Sequence, residues 1–303
     1  MSVGSPLALD PAFFQTVGAN LHRPECVLAT RTGDLYVSDQ RGGVTRIAPD
    51  GAQHFLGKID GIPNGLAMDA RGGLLVAEIE RGGVYHIDPS GQTRLLFDRI
   101  GDQPLGSANF VYIDTADRYW LTVSTRTKPR AAAISQPIPD GYLIRFDGET
   151  PRVVLEGLYF PNEVRVDRDG RYLYIAESSR GRVIRCSIGS DEQLGSPQSF
   201  GPDPLFPGAI VDGLAFDAEG ALWVTEVSRN AVYRLRPPNG DCELLCEDPG
   251  GTYLDFPSSI AFGGSDLRTG WIGTIRGAHL KCFSSPTAGA PMSHWANIGK
   301  LAR

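Results

Sequence analysis

Runs of four to six apolar or aromatic residues recur along the chain and are broken every few positions by Gly, Asp, Asn or Pro. Such runs read as short strands joined by tight turns. Four of them follow one another in Gly213–Asp217, Ala221–Glu226, Ala231–Arg236 and Cys242–Cys246, with turns at Ala218-Glu-Gly220, Ser228-Arg-Asn230 and Pro238-Asn-Gly240. Gly65–Asp69, Leu74–Glu78, Gly83–Asp88 and Thr93–Phe97 repeat the scheme. No segment carries a long amphipathic helical period.

The strands belong to a repeated phrase. It is clearest at Pro63-Asn-Gly-Leu-Ala-Met-Asp69, Pro161-Asn-Glu-Val-Arg-Val-Asp167 and Val211-Asp-Gly-Leu-Ala-Phe-Asp217, and weaker copies start at Pro24, Ala108 and Pro257. The second residue of the phrase is Glu25, Asn64, Asn109, Asn162, Asp212 and Ser258 in turn, at intervals of 39, 45, 53, 50 and 46 residues. A four-stranded unit at this period predicts a propeller blade. Six copies predict an all-β, six-bladed propeller around a central channel. The blades are expected at approximately 24–61, 62–107, 108–159, 160–210, 211–256 and 257–295, as one domain across 1–303. A segment within about 11–20 is expected to supply the outer strand of the last blade and close the ring.

Blade three is unusual. Residues 123–140 form a long connection between its second and third strands, where the other blades have short turns. Long loops in compact folds often bind ligands or act as lids. This one carries Ser124, Thr125, Arg126, Lys128 and Arg130, whose cations would either select an anionic substrate or lie solvated at the surface. Arg41, Arg81, Arg180, Arg229 and Arg276 stand at comparable turns, and Asp39, Glu78, Glu177 and Glu226 end the second strands. Their recurrence suggests ion pairs or hydrogen bonds between blades.

The phrase's second position changes the picture from architecture to chemistry. If it lies where the chain enters each innermost strand, the six side chains ring one mouth of the channel. Two carboxylates, three carboxamides and a hydroxyl suit a hard divalent cation, Ca²⁺ first and Mg²⁺ or Mn²⁺ next. Zn²⁺ remains an alternative, although its sites usually draw on His or Cys. Cys26 follows Glu25, and alternation should turn it from the axis. Taken singly, each position also suits a cap at a strand entry.

Composition adds bounds. The chain has 303 residues, 37 Gly, 22 Pro and a net charge of −6. No basic block calls for nucleic acid or an acidic membrane. No apolar run approaches the roughly 20 residues of a membrane span. Residues 1–10 lack the pattern of a signal peptide. Five scattered cysteines fit free thiols in a reducing cytoplasm. No Gly-x-Ser-x-Gly elbow or phosphate-cradling Gly-rich loop appears. The partner expected is a small molecule, and the oligomeric state is left open.

The entry Arg23-Pro-Glu-Cys-Val27, Pro161-Asn-Glu-Val164 and Val211-Asp-Gly-Leu-Ala-Phe-Asp-Ala-Glu-Gly-Ala-Leu-Trp-Val224 resemble the senescence-marker-protein, gluconolactonase and luciferin-regenerating-enzyme family. These are calcium-dependent six-bladed lactonases, and the likeness covers roughly residues 15–295. The squid-type organophosphate hydrolases share the architecture. The resemblance implies metal ligands at Glu25, Asn162 and Asp212, with Asn109 as a further ligand or a substrate contact. It also implies a lactone hydrolase in which the cation is a Lewis acid and Asp212 is base or nucleophile. Asn64, Asn109, Arg126 and Ser258 are then expected to touch substrate. Sugar-lactonase members often carry an Arg shortly before the further Asn, whereas this chain has Pro104-Leu-Gly-Ser-Ala-Asn109. The same frame would also suit organophosphate hydrolysis, isomerisation or hydration of a metabolite, or a non-enzymatic calcium-binding propeller.

Overall fold

The computed structural model describes residues 8–297. The reading of residues 1–10 as free of a leader rests largely on positions outside that range. Six antiparallel sheets of four strands follow one another, the first five as simple meanders. Blade two, for example, runs Pro63–Met68, Leu74–Glu78, Gly83–Ile87 and Thr93–Phe97, from the innermost strand outward. The innermost strands of successive blades neighbour one another around a ring, and the strand of blade one that holds Val27–Ala29 meets that of blade six, Pro257–Gly263. The molecule is a six-bladed β-propeller.

Gln15–Val17 is the fourth strand of the last blade. It pairs antiparallel with Leu280–Ser284, Gln15 opposite Cys282 and Val17 opposite Leu280. Earlier in the expected closing segment Pro11–Phe13 forms a 3₁₀ turn, whose Ala12 N–H donates to Asp10.

The repeated phrase folds alike in its four copies that end in Asp, those of blades two to five, for a local reason. Its Asp sits at the turn between the first and second strands and accepts turn N–H groups through one oxygen. Asp69 takes those of Arg71 and Gly73, Asp114 those of Ala116 and Arg118, and Asp217 those of Glu219 and Ala221. Asx turns of this kind satisfy backbone that would otherwise lose water on burial. The second oxygen of Asp114 and Asp217 accepts the indole N–H of Trp120 and Trp223, so the turn also anchors a large core side chain. Aliphatic and aromatic residues between neighbouring blades form the core, with Trp223 and Leu121 fully buried.

The innermost strands begin earlier than the hydrophobic pattern suggests. Blade five starts at Val211 and blade two at Pro63, so the variable position lies inside the strand. A β-bulge accommodates it. In blades two, four, five and six the pairing advances three residues on the inner strand against two on its partner, as between Val211/Leu214 and Glu226/Val224. Blade three is bulged between Ala108 and Phe110. The extra residue frees one amide from the ladder and re-aims a side chain. Second-strand hydroxyls take the freed amides: Ser38 accepts from Cys26, Thr122 from Phe110 and Thr225 from Gly213.

The recurrent acids and arginines do not pair with each other between blades as expected; across the seams Arg81 pairs with Asp60 and Arg276 with Asp255. Glu78 accepts the backbone N–H groups of Ile62, Glu80, Arg81 and Gly82, and Glu226 those of Ile210, Ser228 and Arg229. Glu177 accepts from Tyr159 and from Arg182, and Asp39 from Arg41 within its own blade. Three of the arginines lie over rings of the preceding blade: Arg180 over Tyr159, Arg229 over Phe206 and Arg276 over Phe256. Turn amides close to a buried carboxylate are better placed than a long cation reaching from the surface.

Candidate active site

Bulges at five inner strands, and the matching entry at Glu25, bring the six variable positions to one end of the channel. All six are buried. Four of them, Glu25, Asn109, Asn162 and Asp212, line a cavity of about 480 Å³ at that mouth. Asn64 and Ser258 are not among its lining residues. They work from behind. The Asn64 amide donates to Glu25 Oε1 at 2.9 Å and to Asn109 Oδ1 at 3.0 Å. The Ser258 hydroxyl donates to the Glu25 carbonyl at 2.8 Å.

The carboxamides are held by hydroxyls. Asn109 Nδ2 donates to Ser124 Oγ at 2.8 Å, and Asn162 Nδ2 donates to Ser178 Oγ at 3.3 Å. Ser124 in turn donates to the Pro161 carbonyl, which ties blade three to blade four. The carboxylates are less satisfied. Asp212 Oδ1 is buried with no hydrogen-bond partner, and so is Glu25 Oε2, although Arg23 Nη1 approaches the latter to 2.8 Å. Burial raises the Asp212 carboxyl well above the usual carboxylate range, and Glu25 and Glu163 raise it further, while Arg23 lowers it. Two carboxylates this close in low dielectric resist ionising together.

Among the described residues no three His, Cys, Asp or Glu side chains converge as a metal site. A cation here would take two carboxylates and complete its shell with amide oxygens. The donor chemistry fits a hard divalent ion: two buried carboxylate oxygens lack hydrogen bonds, and Asn109 and Asn162 line the same cavity.

Arg126 is not among the cavity's lining residues. Its guanidinium lies over the Tyr142 ring, 3.9 Å from the centroid. Lys128 and Arg130 do line the cavity, and Arg130 pairs with Glu80. The long connection is pinned by Asp140, which accepts from Thr125, Arg126 and Thr127. It carries a short helix, Ala132–Ser135, packed near the 3₁₀ turn Ser178–Arg180, so part of it forms a wall of the cavity. Cys26 is off the cavity, in an apolar cluster with Leu66, Phe110 and Val164.

Pattern reading missed Arg23 and the pair formed by Glu163 and Arg165. Arg23 Nη1 donates to Asn64 Oδ1 at 2.9 Å as well as approaching Glu25. Its backbone is left-handed, φ 52°, and Phe160 and Phe256 take the same conformation two residues before their own variable positions. Non-glycine residues in that region are uncommon and gather at functional sites. Glu163 accepts the Leu214 N–H at 3.0 Å and pairs with Arg165 at 2.6 Å, and burial pushes its carboxyl up to about 7. For Glu163 and Arg165 the one available signal was chemical: charged residues inside an otherwise apolar inner strand.

Comparison with known proteins follows the same lines. The chain is 28% identical over 211 residues to a 6-deoxy-6-sulfogluconolactonase of Pseudomonas putida, a match covering 68% of this chain and 66% of that one. It spans 45 to 66% of the length of the first curated relatives it matches. Two solved structures share the fold. A gluconolactonase of Xanthomonas campestris superposes with a TM-score of 0.73 at 20% identity, over 90% of each chain. A calcium-binding protein, regucalcin, of Agrobacterium tumefaciens superposes with a TM-score of 0.72 at 15% identity, over 96% of this chain and 95% of that one. The SMP-30/gluconolactonase/LRE-like region matches residues 23–276. By that match the chain belongs to the SMP-30/gluconolactonase/LRE-like family.

Proposed function

We propose that the protein is a metal-dependent hydrolase that opens the cyclic ester of a small metabolite. The observation that carries this reading is the convergence of Glu25 and Asp212, each with a buried carboxylate oxygen lacking a hydrogen bond, beside Asn109 and Asn162 in one cavity. The lactonase names of the relatives support lactone hydrolysis in general, and a neighbour named as calcium-binding supports Ca²⁺ as the first ion to try. Glu25, Asn162 and Asp212 would hold the cation, with Asn109 as fourth ligand or substrate contact. Such an ion supplies Lewis acidity toward a carbonyl and stabilises charge that develops on its oxygen.

The chain's own residues do the rest. Asp212 orients the attacking water and takes its proton. Asn64 holds Glu25 Oε1 and Asn109 Oδ1 in register, so ligand positions are set before substrate arrives. Ser124 and Ser178 fix the two carboxamides. Loading a cation requires Arg23 to yield Glu25 Oε2.

The five cysteines are unpaired, and among the described residues no helix is long and apolar enough to cross a membrane. We take the cytoplasm as the site of action and a small molecule as the partner. The test is a hydrolysis screen of aldono-, aryl- and acyl-lactones with Ca²⁺, Mg²⁺, Mn²⁺ and Zn²⁺ added separately to chelator-treated protein. Turnover restored by one ion sustains the reading. Full turnover in ion-free protein overturns the metal requirement, and no turnover with any lactone overturns the reaction.

A further inference from the structure

Two registers of the blades open onto the cavity above its polar floor. One is the residue two places before the variable position, which contributes Phe160, Ile210 and Phe256, with Arg23 and Ser107 from blades one and three. The other is the residue that follows the second strand, which contributes Ile79, Val227 and Ile275, with Ser178 from blade four. The long connection of blade three adds Ile134 from its short helix. The walls are therefore aliphatic or aromatic on most sides, while hydrogen-bonding groups gather at the floor.

Three of the polar groups nearest these walls are already engaged, while Lys128 and Ser107 line the cavity with no side-chain hydrogen bond or ion pair among the described residues. Arg23 is committed to Glu25 and Asn64, Arg130 to Glu80, and Ser178 Oγ accepts from Asn162. A polyhydroxylated ring seated here would press hydroxyls against Phe160, Ile210 and Phe256 with few partners, and an unpaired buried hydroxyl is costly. An apolar substituent would gain from the same surface. The volume, about 480 Å³, lies within the roughly 300–1,000 Å³ of small-molecule sites and leaves room for a ring with a side arm.

We propose that the cavity selects a lactone bearing an alkyl or aryl arm, with the ester at the polar floor and the arm against the wall of Phe160, Ile210, Phe256 and Ile275. The selection rests on the lactonase reading and departs from the sugar lactones for which relatives are named. It gives the missing Arg before Asn109 a reason: this wall has no sugar hydroxyls to grip.

The experiment compares kcat/KM for δ-valerolactone, δ-decalactone and glucono-δ-lactone with the best ion from the screen. A buried methylene contributes up to about fourfold, so δ-decalactone should exceed δ-valerolactone by about tenfold or more, and glucono-δ-lactone should fall below both. Ile210→Ser and Ile275→Ser change half-exposed positions and should each lower the decalactone-to-valerolactone ratio by about threefold with little change in Tm. A higher kcat/KM for glucono-δ-lactone, or a ratio unmoved in both variants, overturns the proposal. If no lactone is opened, the reaction assignment alone fails, and the pocket is read by calorimetric binding of the hydrolysis-resistant lactams. Tighter binding of δ-decalactam than of gluconolactam then sustains the selection, and equal or weaker binding overturns it.

Discussion

Asn64 Nδ2 lies 2.9 Å from Glu25 Oε1, a side-chain hydrogen bond that joins blade two to blade one beneath the cavity. The same nitrogen is 3.0 Å from Asn109 Oδ1, so one amide sets the spacing of two candidate ligands. Partners of this kind typically matter by about 10- to 100-fold in metal affinity. Asn64→Leu is expected to weaken Ca²⁺ binding by that factor, measured by calorimetry, while circular dichroism stays native. Unchanged affinity would show that Asn64 only fills space.

Asp212→Asn removes the proposed base and keeps the side chain's shape. Turnover should drop by about 10²–10⁴-fold. Thermal stability should hold or rise, because a buried carboxylate crowded by Glu25 and Glu163 becomes neutral. Steady-state kinetics with a melting curve on the same sample checks both. Activity within a few-fold of the parent would assign the base to another group.

Arg23 competes with any cation for Glu25, since its Nη1 stands 2.8 Å from Oε2. Arg23→Gln should tighten Ca²⁺ binding by about tenfold, the equivalent of roughly 1.4 kcal/mol. If the affinity falls instead, the guanidinium assists the site, for instance by orienting Asn64.

Thr225→Val tests the bulge. Thr225 Oγ1 accepts the Gly213 N–H at 2.7 Å, and both groups are buried. Valine fills the space and leaves the amide unpaired, which should cost about 1–3 kcal/mol in urea unfolding. Because Gly213 follows Asp212, a shift in the pH–rate profile larger than this loss of stability explains would point to a displaced Asp212.

Acid stability is expected to report His294. Its ring is buried, donates through Nε2 to the Ala29 carbonyl at 2.9 Å, and is held by burial at a pKa of about 4, below the ordinary 6.5. The unfolded chain therefore binds the proton more readily between those values, and stability falls as pH drops from 6.5 toward 4. The loss attributable to this group is about 3 kcal/mol over the full window. His294→Gln keeps a donor for Ala29, and its stability should vary less with pH than the parent's across that interval. Identical slopes would remove His294 as the cause.

Blades two to five were legible because the Asp that ends the phrase closes a turn in each. Asp114 and Asp217 cap a turn and hold a tryptophan, so the phrase cannot vary freely and stays visible. The placement of the variable position was half legible. Its residue types pointed to oxygen chemistry, but the bulge that aims Asp212 depends on Glu226 and Val224 across the ladder, which one strand's pattern does not encode. Arg23 escaped because its left-handed backbone is set by the ring's crowded entry, with no Gly or Asn to mark it. Arg126 looked functional by position in a long loop, yet Tyr142 offers its guanidinium a face nearer than the cavity.

The pairing of Gln15–Val17 with Leu280–Ser284 has a consequence in time. During synthesis Gln15–Val17 leaves the ribosome without this partner, which emerges more than 260 residues later. Blades one to five can assemble as they appear, each from contiguous chain, while the sixth waits. The mouth that gathers Glu25 and Asp212 is thus complete only after translation has passed residue 284, and a chain stalled before that point holds an open arc with its first strand unmatched.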